Sequence, residues 1–94
     1  MQDAPGVQEL VTFENDRVRI VRFHFEPHAK IPMHQAPDVV TTWLTAGHFK
    51  LTHPDGTIQN LHVTAGETEW FDAQIHAGEN MADTPLDFVV TQMK

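Results

Sequence analysis

The 94-residue sequence contains no cysteine, and that absence removes disulfides, zinc–thiolate centres and thiol nucleophiles together. A reducing compartment, the cytoplasm, is the simplest setting for such a chain. Basic residues are also scarce, with 6 Lys and Arg against 13 Asp and Glu and a formal charge of −7. Nucleic acid and anionic membrane surfaces demand a basic footprint, so neither is an expected partner. No apolar run approaches the roughly 20 residues that a membrane-crossing helix needs. Met1 to Gly6 carries neither the basic nor the apolar region of a secretory leader, so none is expected. Apolar residues at helical spacing over three turns are missing as well, which argues against any substantial helix.

What the sequence does hold is a succession of short β-branched and aromatic runs, broken by turn signals about every ten residues, the pattern of a sandwich or barrel. One domain is expected over 1–94, with its barrel at about 7–93. The spacing predicts strands over Val7–Phe13, Arg17–Phe25, Val39–Leu44, Gly47–His53, Thr57–Val63, Thr68–Phe71, Ile75–Asn80 and Leu86–Met93. The proline-punctuated stretch from Pro27 to Pro37 is expected to be a loop. Alternation aligns Val21, Phe23 and Phe25 on one face, but Val18 and Ile20 fall on the other. This parity switch predicts a bulge near Ile20 and Val21 or a segment covered on both sides. Pro54-Asp55-Gly56 marks a tight hairpin.

Arg17, Arg19 and Arg22 make up all the arginine in the chain. They are expected on an exposed strand face beside carboxylates, with an anion site as the alternative. His24, His48 and His62 fall opposite the inferred core residues and are expected at the surface or an interface, and His53 in solvent beside its hairpin.

Two segments carry the functional signal. The first runs from His34 through Ala36 and Val40 to Gly47, and the second holds Gly66, His76 and Asn80. In this arrangement the chain resembles the small single-domain cupins, antiparallel β-barrels or jelly rolls also described as double-stranded β-helices. Their first motif carries His-x-His, then a glutamate and a glycine, and their second runs from a glycine to His-x-x-x-Asn. It is most similar to a subgroup associated with β-alanine degradation, through Ile31-Pro32-Met33-His34, Ala65-Gly66-Glu67-Thr68-Glu69-Trp70 and His76-Ala77-Gly78-Glu79-Asn80.

That resemblance implies a site for divalent iron, manganese, nickel or zinc, held by two histidines and a glutamate of the first motif and the histidine of the second. Here only His34 and His76 match. Ala36 has no donor atom and Val40 stands where the glutamate is expected, so half of the ligand set is missing. Gln74, two residues before His76, and His28, on the loop before His34, are weaker replacement donors.

Strand parity places His34, Ala36, Val40, Thr42 and Leu44 on the site side, with Trp70 and His76 opposite. The resulting ligand pocket of His34, Thr42, Trp70 and His76 is apolar with a few polar points, suited to a small organic molecule with one anchoring group. Trp43, on the other strand face, is expected at a homodimer interface.

Three functions follow. One is a small-molecule pocket with a vestigial or atypical metal site, accessory to small-carboxylate or amino-acid catabolism. Another is a metal-dependent, dioxygenase- or isomerase-like enzyme that acts on a small organic acid through His34 and His76. The third is metal-free acid–base catalysis by the same two histidines.

Overall fold

The computed structural model describes residues 4–94, which form nine strands and no helix among the described residues. They are β1 (Val7–Glu14), β2 (Val18–Phe25), β3 (Lys30–Ala36), β4 (Val39–Trp43), β5 (Gly47–Thr52), β6 (Ile58–Val63), β7 (Thr68–Phe71), β8 (Gln74–Asn80) and β9 (Leu86–Met93). Two antiparallel sheets face one another, one in the order β1-β2-β9-β4-β7 and the other β3-β8-β5-β6. Consecutive strands change sheet repeatedly, which wraps the chain into a barrel around a single core.

Alternation decides which side chains enter that core, because successive residues of a strand face opposite ways. Val21, Phe23 and Phe25 of β2 point inward, as do Phe49 and Leu51 of β5, Leu61 and Val63 of β6, and Leu86 and Phe88 of β9. Trp43 lies at the centre, only 2 % exposed, with its ring centroid 4.9 Å from that of Phe88 and 5.9 Å from that of Phe49. Its burial is therefore complete within one chain, which corrects the expectation that Trp43 serves a dimer interface.

The bulge expected near Ile20 and Val21 lies opposite them, on the partner strand. β2 runs beside β9 without interruption, and the register break falls in β1, where Val11 pairs with Val21 and Phe13 with Ile20, leaving Thr12 as the extra residue. Val18 and Ile20 are half-buried on the outer face of the sheet.

The segment expected as a loop between Pro27 and Pro37 contains the seven-residue strand β3. A proline has no N–H to give to a ladder, so it disrupts a central strand but is tolerated at an edge or bulge. β3 is an edge strand of its sheet, and Pro32 sits within a register break between Ile31 and His34. Both conditions for a strand proline are met.

Asn80, the last residue of β8, closes the far end of the barrel. It is fully buried, and its amide donates to the carbonyls of Phe25, Glu26 and Thr84 at 3.3, 3.2 and 2.9 Å, while its side-chain oxygen accepts from the Ala82 N–H at 3.0 Å. One side chain thereby ties the β2–β3 turn to the β8–β9 turn. Gly78, on the same strand, lies directly beneath Phe49. A Cβ there would stand 2.5 Å from the ring, so the position admits only glycine without repacking.

Candidate functional site

The opposite end of the barrel is built by the start of β8 and the end of β3, where Ala36 pairs with Gln74 and His34 with His76. Residues directly opposed across antiparallel strands have Cβ atoms only about 5 Å apart, so the two imidazoles must meet. Their ring centroids are 4.9 Å apart and the planes cross at 74°. The bulge at Pro32 turns that residue's carbonyl toward the first ring, and His34 Nδ1–H donates to it at 3.0 Å. A carbonyl only accepts, so the proton of the neutral ring sits on Nδ1 and Nε2 is left as an acceptor.

His76 is in a different electrostatic position. Its Nδ1 is buried and has no hydrogen-bond partner. Burial, followed by the neighbouring His34 and then His53, pushes its pKa down to about 4. Near neutrality His76 is an uncharged ring with an unused polar atom.

Both rings border a cavity of about 90 Å³ that extends into the core. Its body is aromatic, with Phe23, Trp43, Phe49 and Phe88 among its walls, and its polar lining comes from Thr41, Gln92 and the two histidines. Each water occupies about 30 Å³ in the liquid, so this space suits a few waters or a compact organic group rather than a cofactor. A wider hollow of about 480 Å³ lies against Lys30, Pro32 and Glu79. Neither mouth histidine lines it, and both border the smaller cavity alone.

The structure brings together only part of the set expected from sequence. His34, Ala36 and His76 line the cavity, but Thr42 and Trp70 do not. Val39, Thr41 and Trp43 are the inward residues of β4, and the inverted parity corrects the expected placement of Val40, Thr42, Leu44 and Trp70. The reason is the step between Ala36 and Val39, where the chain leaves one sheet and enters the other. Alternation cannot be counted across such a step. Trp70 is 54 % exposed, and its indole N–H donates to Asp72 at 2.9 Å.

The two auxiliary donors are also displaced. Gln74 is not part of the cavity lining, and its amide donates to the Asp72 carbonyl at 3.1 Å. His28 adopts a left-handed backbone conformation with φ 63° and is 2.7 Å from an Asp83 oxygen at the other end of the barrel. The expectation of His28 as a replacement donor is therefore corrected: β3 separates the two places, and its seven residues span roughly 20 Å at the rise of an extended strand.

The donor set does not fit a tightly held transition metal. Among the described residues no group of three or more His, Cys, Asp or Glu side chains converges, and His34 and His76 supply two imidazoles alone. Two protein ligands leave a divalent ion mostly dependent on water or bound anions. The inward residue that a fourth ligand would replace is Thr41 rather than Val40.

Sequence reasoning passed over Gln92 and placed Arg19 on an exposed strand face, with an anion site as the alternative. Glu14, Arg19, Gln92, Val39 and Phe71 pair in succession across the inner face of the five-stranded sheet at the cavity mouth. Arg19 donates to Gln92 Oε1 at 3.3 Å. Inward parity of Arg19 with Val21 and Phe23 was the available signal. Arg22, by contrast, is exposed on the outer face and Arg17 is exposed at the start of β2, so the three arginines do not form one surface.

The other histidines lie where alternation put them. His48 and His62 stack on the outer face of the four-stranded sheet at 4.2 Å, and His24 sits between Asp87 and Glu26. His53 is half-buried rather than solvated.

Comparison with known proteins gives no matching family model and no matching curated protein. Solved structures do match. A cupin domain from Bordetella pertussis Tohama I superposes with a TM-score of 0.88 at 26% identity, covering 100% of this chain and 99% of that one. An RmlC-like cupin family protein with a double-stranded β-helix fold from Methanocaldococcus jannaschii gives 0.75 at 18% identity, covering 99% and 84%. The polyketide cyclase RemF from Streptomyces resistomycificus gives 0.74 at 18% identity, covering 96% and 66%.

Proposed function

We propose that this small protein of the cupin fold binds a compact, largely apolar organic molecule in the mouth of its barrel, without a tightly held metal ion. The observation that carries this is the unpartnered Nδ1 of His76, buried beside an aromatic cavity. An unsatisfied buried polar atom costs about 1–3 kcal/mol, a penalty that a ligand group removes on binding. His34 contributes an acceptor at Nε2 through its fixed tautomer, so the pair can hold one polar group of a ligand while the aromatic walls take its body. An uncharged, buried His76 opposed to His34 also suits proton exchange with that group. An accessory role in small-carboxylate or amino-acid catabolism, and a cytoplasmic setting, belong to the same proposal. They are supported by the segment resemblances and the cysteine-free composition.

The test is a thermal-shift screen of small organic molecules combined with elemental analysis of protein made without an affinity tag. Metal-free protein stabilised by an organic ligand, with the shift lost in His76→Leu, is the expected result. One equivalent of iron, manganese, nickel or zinc would favour the metal-dependent enzyme instead.

We further propose that a second copy covers the outer face of the five-stranded sheet. Phe13, Ile20, Thr91, Val40 and Trp70 pair in succession across all five strands on that face. Phe13, Trp70 and the adjacent Leu10 are 52 %, 54 % and 62 % exposed. At about 4.8 Å between strands and 3.4 Å per residue, the face spans roughly 20 by 25 Å. That is at most about 500 Å² in plan, so a stable interface of roughly 800 Å² per partner would also draw on side-chain relief and the flanking edges.

A further inference from the structure

Beside the cavity mouth, next to its lining residue Gln92, stands a cation that neither histidine supplies. Arg19 lies on the inner face of β2, paired with Gln92 of β9, and Gln92 borders the cavity. Its side chain is 35 % exposed, so it is reached from solvent but not fully hydrated. A guanidinium has five N–H donors. The protein uses one for Gln92 Oε1 at 3.3 Å, and the Glu14 carboxylate approaches no nearer than 4.0 Å, beyond hydrogen-bond distance. Glu14 is engaged elsewhere, accepting from Lys94 Nζ at 2.6 Å. Among the described residues, most of the Arg19 fork is unspent.

Gln92 is oriented by the same contact. With Oε1 turned to Arg19, its NH₂ group is the end left for a ligand. One wall of the mouth therefore offers donors, the guanidinium and this amide, whereas the opposite wall offers the His34 acceptor and an uncharged His76. Beyond them the cavity is aromatic and about 90 Å³ in volume.

We infer that Arg19, positioned by Gln92, anchors the carboxylate of a small monocarboxylic acid whose apolar body enters the aromatic cavity. This rests on the pocket proposed above and names its ligand class. A planar carboxylate matches the guanidinium fork with two parallel hydrogen bonds, an arrangement about twice as strong as neutral ones. A dinucleotide or polyphosphate does not fit, because the cavity is only about 90 Å³. Glu14 acts as a weak internal competitor for Arg19, with Lys94 drawing it aside.

The experiment compares isovalerate, hexanoate and benzoate with their primary amides by titration calorimetry, on wild type, Arg19→Met, Gln92→Leu and Glu14→Gln. The expected result is at least tenfold tighter binding of acids than amides to wild type, with the gap closed in Arg19→Met and reduced in Gln92→Leu. Glu14→Gln should tighten the acids and leave the amides unchanged. Acids and amides of equal affinity in wild type would overturn the role of Arg19 while leaving the pocket in place. No binding of either series would overturn both the anchor and the pocket. The comparison within wild type stands whether or not the variants fold.

Discussion

His34 and His76 oppose one another directly across β3 and β8, and burial holds the pKa of His76 down at about 4. An unfolded histidine titrates near about 6.5, so between there and about 4 the unfolded chain binds a proton that folded His76 refuses. Stability should fall as the pH drops through that window. His24 has the opposite sign, because hydrogen bonds first to Asp87 and then to Glu26 raise its pKa. Its contribution is present below about 6.5 and is lost as the pH rises through the raised folded value. Urea midpoints measured across this range should show a shallower acid-side decline in His76→Leu, and His24→Gln should remove stability at the acid end. An unchanged acid slope in His76→Leu would contradict the assignment.

Metal affinity offers a check on the handedness of β4. Ala36→His adds a third imidazole beside His34, and Thr41→Glu adds a carboxylate from the inward side of β4. The double variant should bind nickel or manganese at least about tenfold more tightly than wild type, a gain of about 1.4 kcal/mol. Val40→Glu in place of Thr41→Glu should give no gain beyond that of Ala36→His, since Val40 faces outward opposite Trp70. Calorimetric titration that ranks Val40→Glu above Thr41→Glu would reverse the orientation of the strand.

Asn80 and Gly78 are predicted to govern stability rather than ligand recognition. Asn80→Ala strips the partners from three carbonyls and one N–H and should cost about 2–4 kcal/mol. Gly78→Ala forces Phe49 to move and should cost about 1–3 kcal/mol, as overpacked cores do. Chemical denaturation measures both, and a loss below about 0.5 kcal/mol in either would show that its surroundings yield more easily than the packing suggests.

The outer sheet face predicts which tryptophan matters for association. Trp70→Glu with Phe13→Ser should convert a dimer to a monomer while the barrel stays folded. Trp43→Ala should instead destabilise each chain by about 3–5 kcal/mol, the usual cost of removing a buried aromatic. Light scattering and circular dichroism separate these effects. A wild-type chain that is monomeric at micromolar concentration would remove the dimer.

His28 provides a local test of backbone strain. A left-handed residue without a β-branch is tolerated at a cost of about 1–2 kcal/mol, and a β-branch makes that conformation far worse. His28→Val should therefore be less stable than His28→Gly by more than about 1 kcal/mol. Equal thermal stability of the two would mean that the turn relaxes away from φ 63°.

The inward sets of β2, β5, β6 and β9 could be read from alternation alone, because each lies within one uninterrupted strand. The His34 and His76 pairing was legible as membership of one site, through the spacing of two motifs. Val40 and Thr42 were misplaced because parity does not carry from β3 into β4 across a change of sheet, and Trp70 because β7 and β8 also lie in different sheets. Pro32 concealed a strand, since its lack of an N–H signals a break locally and only the edge position of β3 makes it harmless. The sequence by itself determined an all-β barrel and its hairpins, both of which depend on residue type and short-range spacing. The tertiary structure alone decided that Trp43 is core, that Thr41 faces inward, that His28 lies at the far end and that Arg19 meets Gln92 at the mouth. Those facts depend on which strands become neighbours, and strand pairing is a long-range choice that no local period encodes.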